Sequence, residues 1–451
     1  MAGPPGQPPA LKSPANPPTS PDVTYSEAIQ FLYQLQMFGA RFGLETTRRM
    51  AALVGNPQEQ LRFIHVAGTN GKGSTCAMLE SIYRHAGLRV GLFTSPHLVS
   101  FAERMQVNRQ LIPEAGVARL VEELRPLLKE FPADAPPTMF EVVTVMALRW
   151  FAEQRCDLVI WETGLGGRLD STNIVTPLAS VITNIDFDHQ QWLGDTLEKI
   201  AAEKAGIIKP GVPVITAAEP GRGLEVIQET ARQMNAPLTH LASVDSSLIP
   251  HPSSLPLRGA HQQMNAGVAI ATVQALAEKI PVSEAALSEG LRSVWWPGRM
   301  QLAKLPTGQT VLLDGAHNAA SAGALRDAIA KEFAGERLTL ILGVLADKDW
   351  EIIARTLAPL AGRILAVPVN SERTLAPERL VEACLHASPS AAVEACVSLA
   401  EALARAPNDS FLLITGSLYL VGEAMEKLNL LRAPPDDERG LNEWCARSAK
   451  R

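Results

Sequence analysis

Residues 65–75 read HVAGTNGKGST, with three glycines and one lysine between an apolar run and a helical pattern. Glycine lets the main chain approach a ligand closely and adopt positive φ. N–H groups at the start of a helix point outward and attract anions. Lys72 adds a fixed positive charge suited to terminal phosphates. The chemistry is phosphate binding, with Thr69, Asn70, Gly71, Lys72, Gly73 and Ser74 as candidate contacts. The spacing departs from Gly-x4-Gly-Lys-[Ser/Thr], because Val66 and Gly73 stand where a glycine and a hydroxyl would be. A tight structural turn would explain the glycines alone; strand, loop, lysine and helix in that order favour a nucleotide. Three further groups follow apolar runs: Ser95 in FTSPHL, Glu162 in VIWETGLGGRLDSTN, and Asp186, Asp188 and His189 in TNIDFDHQQWLG. Oxygen ligands suit Mg2+, which bound ATP demands. Alone, His189 reads as an ordinary loop histidine and Glu162 as a cap or surface carboxylate. Their shared position at strand ends beside a phosphate loop changes that reading.

The elements that must position them alternate. RFIHVAG, RVGLFT, CDLVIWE, ASVITNI and VPVIT read as short buried strands separated by amphipathic helical stretches. That pattern implies a parallel sheet with helices on both faces. Residues 244–258 read as loop, and helical patterns follow at about 260–279 and 283–293. WWPGRM breaks the chain, and a second alternation runs through TVLLDGA, LTLILGV, RILAVPV and FLLITGS. The boundary is expected near Trp296–Pro297, giving domains 23–296 and 297–430. Thr24 and Glu27 can form a capping box where regular structure begins. Residues 1–22 are proline-rich and nearly uncharged, and are expected to be a disordered tail. Residues 431–451 are polar and expected to be loosely held.

Bulk composition narrows the function classes. The chain has 451 residues, enough for two or three domains, and is 46% hydrophobic and 20% charged. A net charge of −6 argues against a general nucleic-acid binder, which needs a basic surplus. Five scattered cysteines without CxxC spacing fit reduced thiols rather than disulfides or a zinc site. No apolar run approaches the ~18–20 residues of a membrane helix. The N-terminus lacks a signal-peptide core, so a cytoplasmic protein, monomeric and free of membrane, is expected.

GTNGKGS resembles the phosphate loop of the Mur ligase superfamily. Within it the chain resembles the folylpolyglutamate synthase and dihydrofolate synthase family, through several motifs in order from about residue 24 to about 428. The resemblance implies an α/β fold: an N-terminal P-loop-type ATP-binding domain with a mainly parallel sheet, and a smaller C-terminal Rossmann-like α/β domain. It implies that Ser95, Glu162 and His189 coordinate Mg2+, and that Lys204 in LEKIAAEKAGIIKP is carbamylated and holds a second Mg2+. Thr138, Phe140 and Glu141 of PPTMFEVV would meet the pterin end of a folate-like substrate, where Phe140 can stack on a flat heterocycle. An ordinary helix start, with Thr138 as cap and Glu141 at the third position, fits the same residues. Leu169, Asp170 and Ser171, and Phe42, Gly43 and Leu44 in RFGLE, match other pterin-side positions. Asn265 in HQQMNAGVA, Arg299 in PGRMQ and Asp314 in LLDGAHNAA match nucleotide contacts, Arg299 with a planar fork suited to phosphate. Asn265 reads equally as a core amide. His317 matches a glutamate or nucleotide contact with a catalytic part. Ser417 in TGSLY matches a glutamate contact or caps the next helix. Ala319 stands where the family has proline after His-Asn.

The implied activity joins L-glutamate to dihydropteroate or a reduced folate through an acyl phosphate formed from ATP. A cell-wall Mur ligase would lack TMFE and GGRLDSTN. A simple kinase would leave DGAHN without a use, and a non-catalytic nucleotide-binding protein would not need every motif carboxylate, lysine and histidine.

Overall fold

The computed structural model describes residues 22–36, 39, 43–243, 255–407, 409–432, 434 and 437–443. The tail at 1–21, Phe42 and most of the 244–258 loop therefore lie outside the described residues. All nine apolar runs form strands. Their side chains are shielded on both faces, which suits near-continuous apolar sequence in a parallel sheet.

The first sheet holds β1 (Phe63–Ala67), β2 (Val90–Phe93), β3 (Met105–Val107), β4 (Gln110–Leu111), β5 (Leu158–Glu162), β6 (Ala179–Ile182), β7 (Val214–Thr216) and β8 (Leu238–His240). Its order is β4-β3-β2-β5-β1-β6-β7-β8. The pairs from β2 through β5, β1, β6 and β7 to β8 are parallel, and β3 and β4 add an antiparallel edge. On β1, Phe63 packs with the helix Met139–Glu153, while Ile64 and Val66 pack with the helices Lys72–His85 and Ala260–Ala275 on the other side. Alternate residues facing opposite layers is the period of a strand buried twice.

The second sheet holds β9 (Gln301–Lys304), β10 (Thr310–Leu313), β11 (Leu338–Leu342), β12 (Arg363–Ala366), β13 (Ala392–Ala395) and β14 (Phe411–Thr415), in the order β13-β12-β11-β14-β10-β9. Only β9 runs antiparallel to its neighbour. The capping box at Thr24 forms as expected: Glu27 N–H donates to Thr24 Oγ1 at 3.2 Å, and Thr24 N–H donates to Glu27 Oε2 at 2.8 Å.

Two features tie the sheets together. Leu98 and Val99, in the loop after β2, are buried in the apolar cluster of the second sheet with Leu313, Ile414 and Val421. Residues 437–443 depart from the expectation of a loosely held end at 431–451, because they are packed, while 444–451 lie outside the described residues. Leu441 is fully buried, Glu438 accepts from the N–H of Phe101 at 2.5 Å, and Gln36 Nε2 donates to the carbonyls of Gly440 and Glu443. A polar segment stays down when its polar groups find partners, and that partner set is invisible in local sequence.

Gly422, in the helix Leu418–Lys427, explains the close approach of the Leu98 loop. A Cβ there would overlap the Leu98 carbonyl oxygen. Alanine is the better helix former by about 1 kcal/mol, yet Gly422→Ala should destabilise the protein by roughly 1–3 kcal/mol. Thermal denaturation checks this; a raised melting temperature would show that the loop does not need the contact.

Candidate active site

The carboxyl ends of the central strands supply the site, where open α/β sheets hold ligands. The phosphate loop follows β1. Gly68 takes φ +147° and a Cβ on it would overlap Thr183 Oγ1; Gly71 takes φ +81° and a Cβ would overlap the Asn265 amide oxygen. Both positions require glycine. Thr69 Oγ1 donates to Asp186 O, Asn70 N–H donates to Asn184 Oδ1 at 2.8 Å, and Gly73 lies against the Trp296 ring. Lys72 begins the helix Lys72–His85 and its ammonium returns to the carbonyls of Gly68 (3.1 Å) and Thr69 (3.2 Å). Ser74 is buried beside it.

Lys204 meets the same loop. It is buried near the end of the helix Leu197–Ala205, and its Nζ donates to Gly68 O at 2.9 Å. Burial, reinforced by the charge of Lys72, brings its pKa down to about 7. A neutral amine is therefore accessible near neutral pH.

Glu162 ends β5 fully enclosed. Dehydration pushes its carboxyl up to about 7, opposed by Lys72, by the Ser95 N–H at 3.1 Å and by Arg299. His189 follows β6 and stays neutral: burial drives its pKa to about 3 against the pull of Asp188. Among the described residues no three His, Cys, Asp or Glu form a ready metal cluster. The donor set Ser95, Glu162 and His189 still fits a divalent cation. It offers a hydroxyl, a dehydrated carboxylate and an unprotonated imidazole.

Asp188 joins the halves. Its carboxylate accepts from Lys348 Nζ at 2.5 Å and Asn318 Nδ2 at 3.1 Å, with His317 Nε2 at 3.6 Å. Burial alone would raise its pKa, but the approach of the His317 imidazole and the charge of Lys348 hold it well below the usual carboxylate range. His317 Nδ1 lies 2.7 Å from Gly315 O. Arg299 is half-buried, bonded to Gly298 O at 3.1 Å. Asp314 accepts from the N–H groups of Met300 (2.8 Å) and Ala316 (2.9 Å), and Asn265 Nδ2 donates to Gln262 Oε1 at 3.0 Å. Ser417 caps the helix Leu418–Lys427 by accepting from Tyr419 N–H.

On the other side Phe140 lies under Gly164, and Phe93 stacks on Trp161 behind it at 4.4 Å. Asp170 accepts from the N–H groups of Leu165 (2.7 Å) and Thr172 (3.0 Å). Thr138 and Glu141 form a capping box for the helix Met139–Glu153, with the Thr138 N–H 2.7 Å from Glu141 Oε2.

One cavity of about 460 Å³ is lined by the phosphate loop, Ser95, Glu162, His189, Lys204, Thr138, Phe140, Leu169, Asp170, Ser171, Asn265, Arg299, Asp314, His317 and Ser417. Glu141, which closes the Thr138 capping box, and Gly43 and Leu44, just before the helix Glu45–Leu53, stand outside the lining. Sequence reasoning missed Lys348, Arg104, Arg373, Tyr419 and the 441–443 segment, all of which line the cavity. Lys348 alone carried a signal, as the charged cluster DKD shortly after β11.

The Mur ligase middle domain matches residues 66–273, and the Mur ligase glutamate ligase domain matches 298–418. The dihydrofolate synthase/folylpolyglutamate synthase of Bacillus subtilis is 34% identical over 431 residues, 90% of this chain and 99% of that protein. The chain belongs to the folylpolyglutamate synthase/dihydrofolate synthase family. Within this Mur ligase branch, the crystal structure of folylpolyglutamate synthase from Thermotoga maritima superimposes with a TM-score of 0.79 at 34% identity, covering 92% of this chain and 98% of that one. E. coli FolC in complex with DHPP and ADP gives 0.79 at 31%, covering 92% and 99%. In this chain's phosphate loop Gly68 and Gly71 both take positive φ. Gly71→Ala should weaken ADP binding about tenfold or more through backbone strain and the Asn265 clash, with the circular dichroism spectrum unchanged. An unaltered Kd by calorimetry would show that the loop tolerates a side chain there.

Proposed function

We propose that this ATP-dependent ligase joins L-glutamate to a folate-type carboxylate, either dihydropteroate or a reduced folate carrying glutamate already. One observation carries the reading. A single cavity is lined together by the phosphate loop, the Ser95–Glu162–His189 donors, Phe140 and the Arg299–Asp314–His317 group of the second sheet's side. Residues 23–296 and 297–430 act as the two domains whose closure forms it.

The γ-phosphoryl group moves to the substrate carboxylate, giving an acyl phosphate and ADP. The amine of glutamate then attacks the carbonyl carbon, phosphate leaves, and the amine loses a proton. No protein nucleophile is required. The chain's part is positioning and charge stabilisation. Thr69 to Ser74 cradle the phosphates, Lys72 and Arg299 meet the transferring group, and Asn265 and Asp314 flank the nucleotide. Phe140, Thr138, Leu169, Asp170 and Ser171 hold the pterin end. His317 and Ser417 stand at the side where glutamate enters. Mg2+ at Ser95, Glu162 and His189, with a second ion at carbamylated Lys204, would neutralise developing phosphate charge.

Phosphate release by the purified protein with ATP, Mg2+ and a folate acceptor should depend on glutamate, and Lys72→Ala should lower it by several orders of magnitude. Release independent of glutamate would overturn the ligase reading.

The carbamate at Lys204 is supported by the family resemblance and by its burial beside Lys72. A carbamate forms from a neutral amine and CO2, and it reverses the sign of a charge that would otherwise repel the bound cation. Activity should fall severalfold after exhaustive bicarbonate removal and return when bicarbonate is restored. Lys204→Ala should be nearly inactive under both conditions. Full activity in CO2-free buffer would leave Lys204 as a free amine.

A further inference from the structure

Arg104 follows β2's loop and is 3% exposed. Two of its nitrogens are spoken for by neutral groups. Nε donates to His97 Nδ1 at 2.9 Å, and Nη2 donates to Asn442 Oδ1 at 2.6 Å. Nη1 has no hydrogen-bond partner among the described residues, and no carboxylate among them lies within 4.0 Å of the guanidinium. The side chain lines the cavity together with Gln36, Arg373, Tyr419, Asn442 and Glu443. Glu103 and Glu162 act on it only from beyond salt-bridge distance, and a dehydrated cation placed so gains when an anion joins it directly. Arg373 on the same wall differs, since Asp347 and Glu443 already pair with it, each at 3.0 Å.

The partners of Arg104 are themselves fixed. His97 Nε2 donates to the carbonyl of Glu438 at 2.9 Å, which leaves Nδ1 as the acceptor for Arg104. Asn442 Nδ2 donates to His97 O at 2.9 Å, so its Oδ1 is turned to Arg104. The guanidinium is thus aimed by the C-terminal segment 437–443, which lies beyond both matched domains.

We infer that Arg104 receives a glutamyl carboxylate of the substrates, and that Asn442 is a positioning residue that aims it. The inference rests on the ligase reading and adds to it Arg104, which the sequence analysis did not single out, and Asn442, which lies beyond both matched domains. Two sources share this chemistry: incoming L-glutamate, and the glutamyl group that tetrahydrofolate carries and dihydropteroate lacks.

Steady-state KM values for glutamate, ATP and each acceptor test it. Arg104→Gln should raise one carboxylate-bearing KM about ten- to a hundredfold, the scale of a lost charge-assisted hydrogen bond, while the KM for ATP stays unchanged. A rise in the glutamate KM with both acceptors assigns incoming glutamate. A rise for tetrahydrofolate alone assigns the acceptor's own glutamyl group. Arg104→Lys should recover part of the loss, and Asn442→Ala should raise the same KM by a smaller factor. These two variants carry the test if Arg104→Gln fails to fold. Folded variants whose KM values all match the parent, with or without a fall in kcat, overturn the inference. Calorimetric titration of L-glutamate and of tetrahydrofolate in the presence of ADP separates the two claims. Arg104-dependent binding without turnover in the parent protein would overturn the ligase reading alone, and Arg104-independent binding would overturn this one.

Discussion

The arrangement depends on one carboxylate. Asp188 projects from the loop after β6, and it collects Lys348, Asn318 and His317 from the second sheet's side. Asn318 also donates to Asn70 of the phosphate loop at 2.9 Å. The loop that holds phosphate and the loop that follows β10 are therefore joined through two side chains. Without that contact the loop after β10, which carries His317 and Asn318, would lose its direct polar link to the phosphate loop. An ion pair this enclosed is costly to leave half-made, so opening of the halves must be offset by water reaching Asp188 and Lys348 together.

Charge explains much of the rest. Lys72 and Lys204 both donate to the carbonyl of Gly68, which places two like-charged amines on one acceptor. The pocket relieves that repulsion by losing a proton from Lys204 or by taking up negative charge. Glu162 has the complementary difficulty, a carboxylate removed from water with Lys72 and Arg299 as its stabilising cations. Polyphosphate, a divalent cation and a carbamate would each resolve one of these imbalances. The site is unfavourable for its own side chains and favourable for a set of ligands, as expected where binding energy is spent on positioning charge.

What the sequence made legible follows from range. Buried apolar runs bounded by glycine-rich turns depend on neighbours along the chain, so strands such as β1, β5, β11 and β14 could be read directly. The phosphate loop was legible because its glycines and lysine act within one turn of helix. The short strands β4, β8, β9 and β13 were not, since their partly or fully exposed residues carry no sustained apolar pattern, and β3, though buried, is only three residues long. Glu141 shows the converse limit. Its spacing from Thr138 suited both a substrate contact and a capping box, and the carboxylate closes the box. The polar C-terminal stretch was misread for a related reason: polar residues predict solvent only when no distant partner satisfies them.

That last point bears on how the two sheets are held. The loop after β2 carries Ser95 at its start, and Leu98 and Val99 are sunk in the second sheet's core. Within the same loop Glu103 accepts three successive backbone N–H groups, from Leu98, Val99 and Ser100, each at 2.8 Å. Glu438 then binds Ser100 and Phe101 from outside. The loop is rigid within itself and anchored at both the second sheet and the C-terminal segment. A shift of the second sheet must therefore carry Ser95 with it or break buried apolar contacts worth about 1.5–3 kcal/mol for each large side chain. Ser95, whose N–H donates to Glu162, is in this way tied to the half that carries Arg299 and His317. One short loop thus belongs to both cores, since Leu98 and Val99 lie in the second sheet's cluster and Phe101 and Ala102 in the first sheet's.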